Sequence, residues 1–386
     1  MSPLSTTEET TCLGRFVPAI VVAGVLVLAT VLRFTVYVVT QESWDPGAFV
    51  AAFCKQDCEW YASIYNDGYS TDIGDEGQPT RANWAFFPAY PLLVAVVGKP
   101  LGLSAPLAGF LVSTLLTYLA ALAALPLFGG RRFIYWLWVV GLFAGPFSFL
   151  FSALYTESLF VLLTLLTLVA LQERNFLGAG LWAAALSATR VTGVVMTLCI
   201  VVQMLHDHLR EGGTLLDWPA RLLREPQLLV AMALAPLGLA LFMIYLHLHT
   251  GDALAFVHIQ RGWDRDLGNP LEVLYYSLTM PVSSSYWDLI RISGAVAATL
   301  GLAVSIGLVA RGHVAAGLFS ALALMISLAG GTMSLVRFTA GLAPIGIAIA
   351  MVLGSSRLLG VFTGIAGCVI GASIASGWFN GSLFLM

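Results

Sequence analysis

Apolar stretches long enough to cross a lipid bilayer recur along this chain, and no other feature limits its fold as strongly. A helix crossing roughly 30 Å of hydrocarbon needs about 20 apolar residues. The first such stretch covers 16–39, and candidates follow at 104–128, 133–150, 158–171, 228–249, 289–310, 314–330, 336–354 and 358–376. A further stretch, 176–205, is too long for one crossing and carries Arg190 in its middle. It reads as two short helices meeting at a buried turn around 189–193. Of the 386 residues, 59% are hydrophobic and 10% charged, where a soluble domain carries about 25% charged residues. The expected fold is therefore an all-α polytopic membrane protein, a single domain over 1–386 with about eleven transmembrane segments. The stretch 16–39 is too long for a signal-peptide core and follows acidic residues, so it reads as a retained first helix.

Orientation follows from Lys and Arg in the short connections. Arg131, Arg132, Arg174, Arg210, Arg221, Arg224, Arg311 and Arg357 fall on one side if 176–205 is a re-entering hairpin. That side is expected to be the cytoplasm, with the amino terminus inside. A first loop, 41–87, then lies outside. It holds Glu42, Asp45, Asp57, Glu59, Asp67, Asp72, Asp75 and Glu76 against Lys55 and Arg81. The apolar run 86–98 is too short to span and is expected to lie as a helix in the outer interface, its rings at headgroup depth. The first outer region thus extends over 41–98. A second outer loop, 250–288, carries Asp252, Arg261, Asp264, Arg265 and Asp266 among aromatics. The carboxyl end is expected outside as well.

Several function classes find no support. The net charge is −3, no basic tail or nucleic-acid motif is present, and neither G-x-x-x-x-G-K-[ST] nor G-x-S-x-G occurs. His206 and His208, like His247 and His249, sit two apart and do not share a helix face, so no metal site is expected from them. Cys12, Cys199 and Cys368 read as packing residues. Cys54 and Cys58 share the first outer loop, without the four ligands of a metal site. They can pair if that loop faces an oxidising space, although four-residue spacing on a helix weighs against the geometry.

Polar clusters in this apolar setting are the candidates for chemistry. Gln56-Asp57-Cys58-Glu59-Trp60-Tyr61, with Asn66-Asp67-Gly68-Tyr69 behind it, sets a carboxylate beside rings that can stack on sugar faces. It reads equally as a solvated acidic loop. Ser152-Ala153-Leu154-Tyr155-Thr156-Glu157 puts an acid at the start of an apolar segment. That is either a functional intramembrane carboxylate or an acidic residue favoured by a helix amino terminus. Arg190 is flanked by apolar residues and needs an anionic partner, either Glu157 or a phosphate. Arg337, in Ser334-Leu335-Val336-Arg337-Phe338, opens a span and is a phosphate ligand or a snorkelling arginine.

Taken in order, these clusters resemble the PIG-V family, the second mannosyltransferase of glycosylphosphatidylinositol assembly and its prokaryotic relatives. The resemblance runs through Asp57-Cys58-Glu59-Trp60-Tyr61 with Gly68-Tyr69, then Phe86-Phe87-Pro88-Ala89-Tyr90-Pro91-Leu92. It continues in Pro146 and Phe151-Ser152-Ala153-Leu154-Tyr155-Thr156-Glu157, Thr189-Arg190 with Gly193, Gly251-Asp252-Ala253-Leu254 with Gln260 and Trp263, and Arg337-Phe338 with Pro344. The family usually has Trp before the first-loop aspartate. Here that place is Gln56, while a Trp-Asp pair stands earlier at Trp44-Asp45, so Asp45 is the alternative base.

The resemblance implies a glycosyltransferase of the GT-C type that takes its sugar from a polyprenyl phosphate at the non-cytoplasmic face of a bacterial or archaeal plasma membrane. It implies Asp57 as general base, Arg337 and Arg190 on the donor phosphate, and Glu157, Tyr155, Glu59, Trp60, Tyr61, Trp84, Phe87, Gln260, Arg261 and Trp263 around the substrates. The expected partners are polyprenyl-phosphate mannose, a glycolipid or glycan acceptor and membrane lipids. No cofactor or metal and no nucleic acid is expected. A lipid-linked sugar transporter, or a subunit supporting another transferase, is the alternative.

Overall fold

The computed structural model describes residues 12–71, 81–263, 265, 267–283 and 285–381, and every regular element among them is helical. Asp72, Asp75, Glu76, Asp264 and Asp266 lie outside the described residues, as do the first eleven and last five positions. The chain opens with α1 (Cys12–Gln41), then α2 (Pro46–Ala51), α3 (Asp57–Asp67) and α4 (Ala89–Gly98). The central part comprises α5 (Ala105–Ala123), α6 (Arg132–Ala144), α7 (Glu157–Gln172), α8 (Phe176–Ser187) and α9 (Met196–Arg210). There follow α10 (Trp218–Arg224), α11 (Pro226–Leu234), α12 (Leu237–Thr250), α13 (Ala255–His258) and α14 (Pro270–Thr279). The last five are α15 (Tyr286–Ala310), α16 (Val314–Ala329), α17 (Leu335–Ala340), α18 (Ala343–Leu353) and α19 (Arg357–Phe379).

Among the described residues, five helical stretches are long and apolar enough to cross a membrane: Pro18–Gln41, α5, Val191–Arg210, α15 and α19. A sixth results if α11 and α12, bent by 43°, form one span. This is a helical, multi-pass membrane protein, and among the described residues the other expected segments fall short of a full span. The shortfall has local causes. The segment 133–150 stops being helical at Gly145-Pro146, where proline removes a backbone donor, leaving α6 with 13 residues. The segment 336–354 breaks at Gly341-Leu342, one turn after Arg337 and just before Pro344, into α17 and α18. With 16 residues, α7 and α16 reach about 24 Å, short of the hydrocarbon thickness.

The stretch 176–205 divides where its sequence predicts. Helix α8 ends at Ser187, Arg190 is extended (φ −156°, ψ 151°), and a 3-10 turn over Val191–Val195 leads into α9. Gly193 is needed there, because a Cβ would stand 2.2 Å from the Leu186 carbonyl oxygen.

Helix α7 is apolar on nearly all sides and buried along most of its length, the pattern of a core helix. It packs between α5 and α8, with α18 near its start. Close approach depends on small residues: a Cβ on Gly109 of α5 would meet the Leu154 side chain at 2.4 Å. The run 86–98 does form a helix, α4, but its rings turn into the protein rather than outward. Tyr90 is fully buried with its hydroxyl 2.6 Å from Ser113 Oγ, and Phe87 packs on Phe242 and Phe256. On α1, Arg33 is also buried. Its guanidinium donates to the Ser148 carbonyl (2.9 Å) in the break between α6 and α7, and to Thr30 Oγ1 (3.5 Å), with no carboxylate partner among the described residues.

Candidate active site

The site grows from the amino ends of α3 and α7 and from the two helix breaks. Asp57 is the first residue of α3 and Glu157 the first of α7, where helix dipoles favour negative charge. Arg190 lies in the α8–α9 break and Arg337 on the short α17. Folding joins them in one chain of alternating charge. Arg337 Nη2 donates to Asp57 Oδ2 at 2.7 Å, and Arg337 Nε stands 3.3 Å from Glu157 Oε1. Arg190 Nη2 donates to the same Glu157 oxygen at 2.5 Å, while its Nε donates to Thr156 Oγ1 at 2.6 Å. Glu157 is fully buried and Arg337 nearly so. Charges so placed persist only when paired. Phe338 lies under both guanidinium groups at 5.0–5.2 Å, with Tyr155 beside Arg337 and Phe160 beside Arg190.

The backbone around Asp57 is tightly held. Cys54 and Cys58 form a disulfide with a Cα separation of 5.1 Å, against the weight their helical spacing carried. The reason is that Cys54 precedes α3 in an irregular link, so only Cys58 is helical. Between them Gln56 takes a left-handed conformation (φ 56°). Tyr155 Oη donates to the Lys55 carbonyl at 2.6 Å, and Lys55 Nζ caps the end of α19 through the Trp378 and Phe379 carbonyls. The Trp378 indole donates to the Ala52 carbonyl at 3.1 Å.

A cavity of about 330 Å³ opens over this chain. Asp57, Arg190 and Arg337 line it, with Tyr61, Phe87, Gln260 and Trp263 among the expected residues that reach it. Trp60 supports its wall, stacked on Phe86 (5.9 Å, 17°) and meeting Trp263 edge-on at 5.5 Å.

Other expected residues stand elsewhere. Glu157 and Tyr155 lie behind the arginines and are buried from the cavity. The Trp84 indole is spent on the Ser70 carbonyl at 2.8 Å. Glu59 and Arg261 are exposed and do not line the cavity. Asp45, the alternative base, caps α2 through the Gly47 N–H (2.8 Å) and is likewise exposed.

Sequence reasoning did not single out Arg265, which lines the cavity from the second loop. Burial lowers its pKa, Arg337 adding to that effect and Asp57 opposing it. Among the described residues no three His, Cys, Asp or Glu side chains converge as a metal cage. Compared with known proteins, the chain matches no family model and no curated relative.

Proposed function

We propose that this protein is a membrane glycosyltransferase of the GT-C type, similar to the PIG-V mannosyltransferases, that moves mannose from a polyprenyl phosphate to a lipid-linked or surface glycan on the non-cytoplasmic side. The observation that carries the reading is convergence. Asp57 and Arg337, 280 positions apart, are hydrogen-bonded to each other at a cavity that Arg190, Gln260 and Trp263 also line. These are the residues on which the family resemblance rests. The Cys54–Cys58 bridge supports the sidedness, because disulfides persist in oxidising, non-cytoplasmic compartments.

In this reading the acceptor hydroxyl gives its proton to the free oxygen of Asp57 while its oxygen attacks the anomeric carbon. The bond from that carbon to the donor phosphate oxygen breaks, its electron pair stays on the phosphate, and the configuration inverts. Arginine charge at the cavity stabilises the departing phosphate. The rings of Tyr61 and Trp263 border the space left for sugar.

The test is an assay of purified protein with polyprenyl-phosphate mannose and candidate glycolipids, reading product by mass. Asp57→Asn should lower turnover by about 10²–10⁴-fold and leave donor binding intact, while Asp45→Asn should stay near wild type. An active Asp57→Asn would overturn the assignment of the base.

A further inference from the structure

The two arginines first expected on the phosphate are already engaged. Arg337 binds Asp57 and approaches Glu157, and Arg190 binds Glu157 and Thr156. A phosphate arriving at either would compete with a carboxylate 2.5–2.7 Å away. Arg265 differs. It is partly buried and faces the cavity, and its guanidinium has no carboxylate partner among the described residues. The contact it makes is with the Met333 sulfur at 3.8 Å, a weak acceptor. Among the described residues, three arginines stand against two carboxylates, Asp57 and Glu157, and Arg265 is the one without an ion pair.

We infer that Arg265 is the anion-binding residue of this cavity, that it takes a phosphate ester, and that Arg337 is a positioning residue for Asp57. A phosphate ester suits the place because it brings the negative charge that this guanidinium lacks among the described residues. The planar fork suits two of its oxygens. Arg265 follows Trp263 by two positions, so the anion and the ring wall come from one loop. The identity of the phosphate as the donor's rests on the proposed function, whereas the assignment of Arg265 does not.

The experiment measures binding of farnesyl phosphate, farnesol and inorganic phosphate to the purified full-length protein, alongside sugar transfer. Wild type should bind farnesyl phosphate well above farnesol, and Arg265→Gln should weaken that by about tenfold or more. Arg265→Lys should recover part of it, keeping the charge without the fork. In transfer, Arg265→Gln should raise the donor KM, while Arg337→Gln should lower kcat with donor binding near wild type. Unchanged farnesyl phosphate binding in Arg265→Gln, or no anion binding by wild type, overturns the inference even if transfer is observed. Binding that depends on Arg265 without sugar transfer upholds the inference and sinks the proposed reaction. Equal competition by inorganic phosphate would keep Arg265 as the anion site and assign the anion to a free phosphate.

Discussion

At the scale of single residues, one buried carboxylate organises two cations. Glu157 is fully buried and shares one oxygen between Arg190 and Arg337. Glu157→Gln removes that charge and leaves both guanidinium groups undercompensated, at a cost of about 3–5 kcal/mol. The expected outcome is a clear drop in thermal stability in detergent. Adding Arg190→Met should restore part of it, since Arg337 keeps Asp57; a double variant as unstable as the sum of the singles would refute the coupling. The Glu157–Arg190 pair was one of two readings the sequence left open for Arg190, the other being a phosphate, because each charge stood alone among apolar residues and neither can stay buried unpaired. Of the two candidate aspartates, Asp45 is used locally as a helix cap, while Asp57 lines the cavity. Arg265 was not legible. It sits in a loop of mixed charges with no periodicity, and only the fold shows it lining the cavity with no carboxylate partner among the described residues.

At the scale of elements, the site is made from interruptions. Arg190 and Arg337 are placed by breaks in α8–α9 and α17–α18, where Gly193, Gly341 and Pro344 oppose a continuous helix. The first break could be read from an apolar run too long for one crossing. The second could not, because its total length matches a span and no charge follows Arg337 within it. Between these breaks in sequence, the connection after α9 is held by charge. Glu211 pairs with Arg174 and Arg221, and Asp217 accepts from the Thr214 N–H and His208. Hydrogen bonds from Arg174 first and Arg221 next hold Glu211 below the usual glutamate range, and the Thr214 N–H followed by His208 does the same for Asp217. A carboxylate with a depressed folded pKa stabilises above its unfolded value, about 4, and that contribution is lost as pH falls through the lower folded value. Hydrogen exchange over 208–225, corrected for the intrinsic rate, should therefore speed up on acidification below about pH 4. Glu211→Gln should exchange faster already at neutral pH and respond less to acid. An acid response identical to wild type would remove Glu211 from the clamp.

At the scale of the whole molecule, hydropathy correctly gave a helical multi-pass membrane protein but not the lengths of its individual helices. Window averages see composition, while continuity is decided by single prolines, glycines and close contacts such as Gly109 against Leu154. Hydropathy is also blind to how Arg33 is accommodated, and that has a consequence for the order of assembly. The Ser148 carbonyl that receives this arginine lies 115 positions further along. During synthesis the first helix must therefore stand at the bilayer with its charge unsatisfied until the α6–α7 break exists. A central charge costs up to about 3 kcal/mol on insertion scales, and Arg33 lies roughly 12 Å from the end of α1. Nascent chains ending before α6 should hold the first helix only partly inserted, by protease protection, and chains extending past α7 should hold it fully. Arg33→Leu should abolish that difference, making the seating of α1 independent of a segment not yet translated.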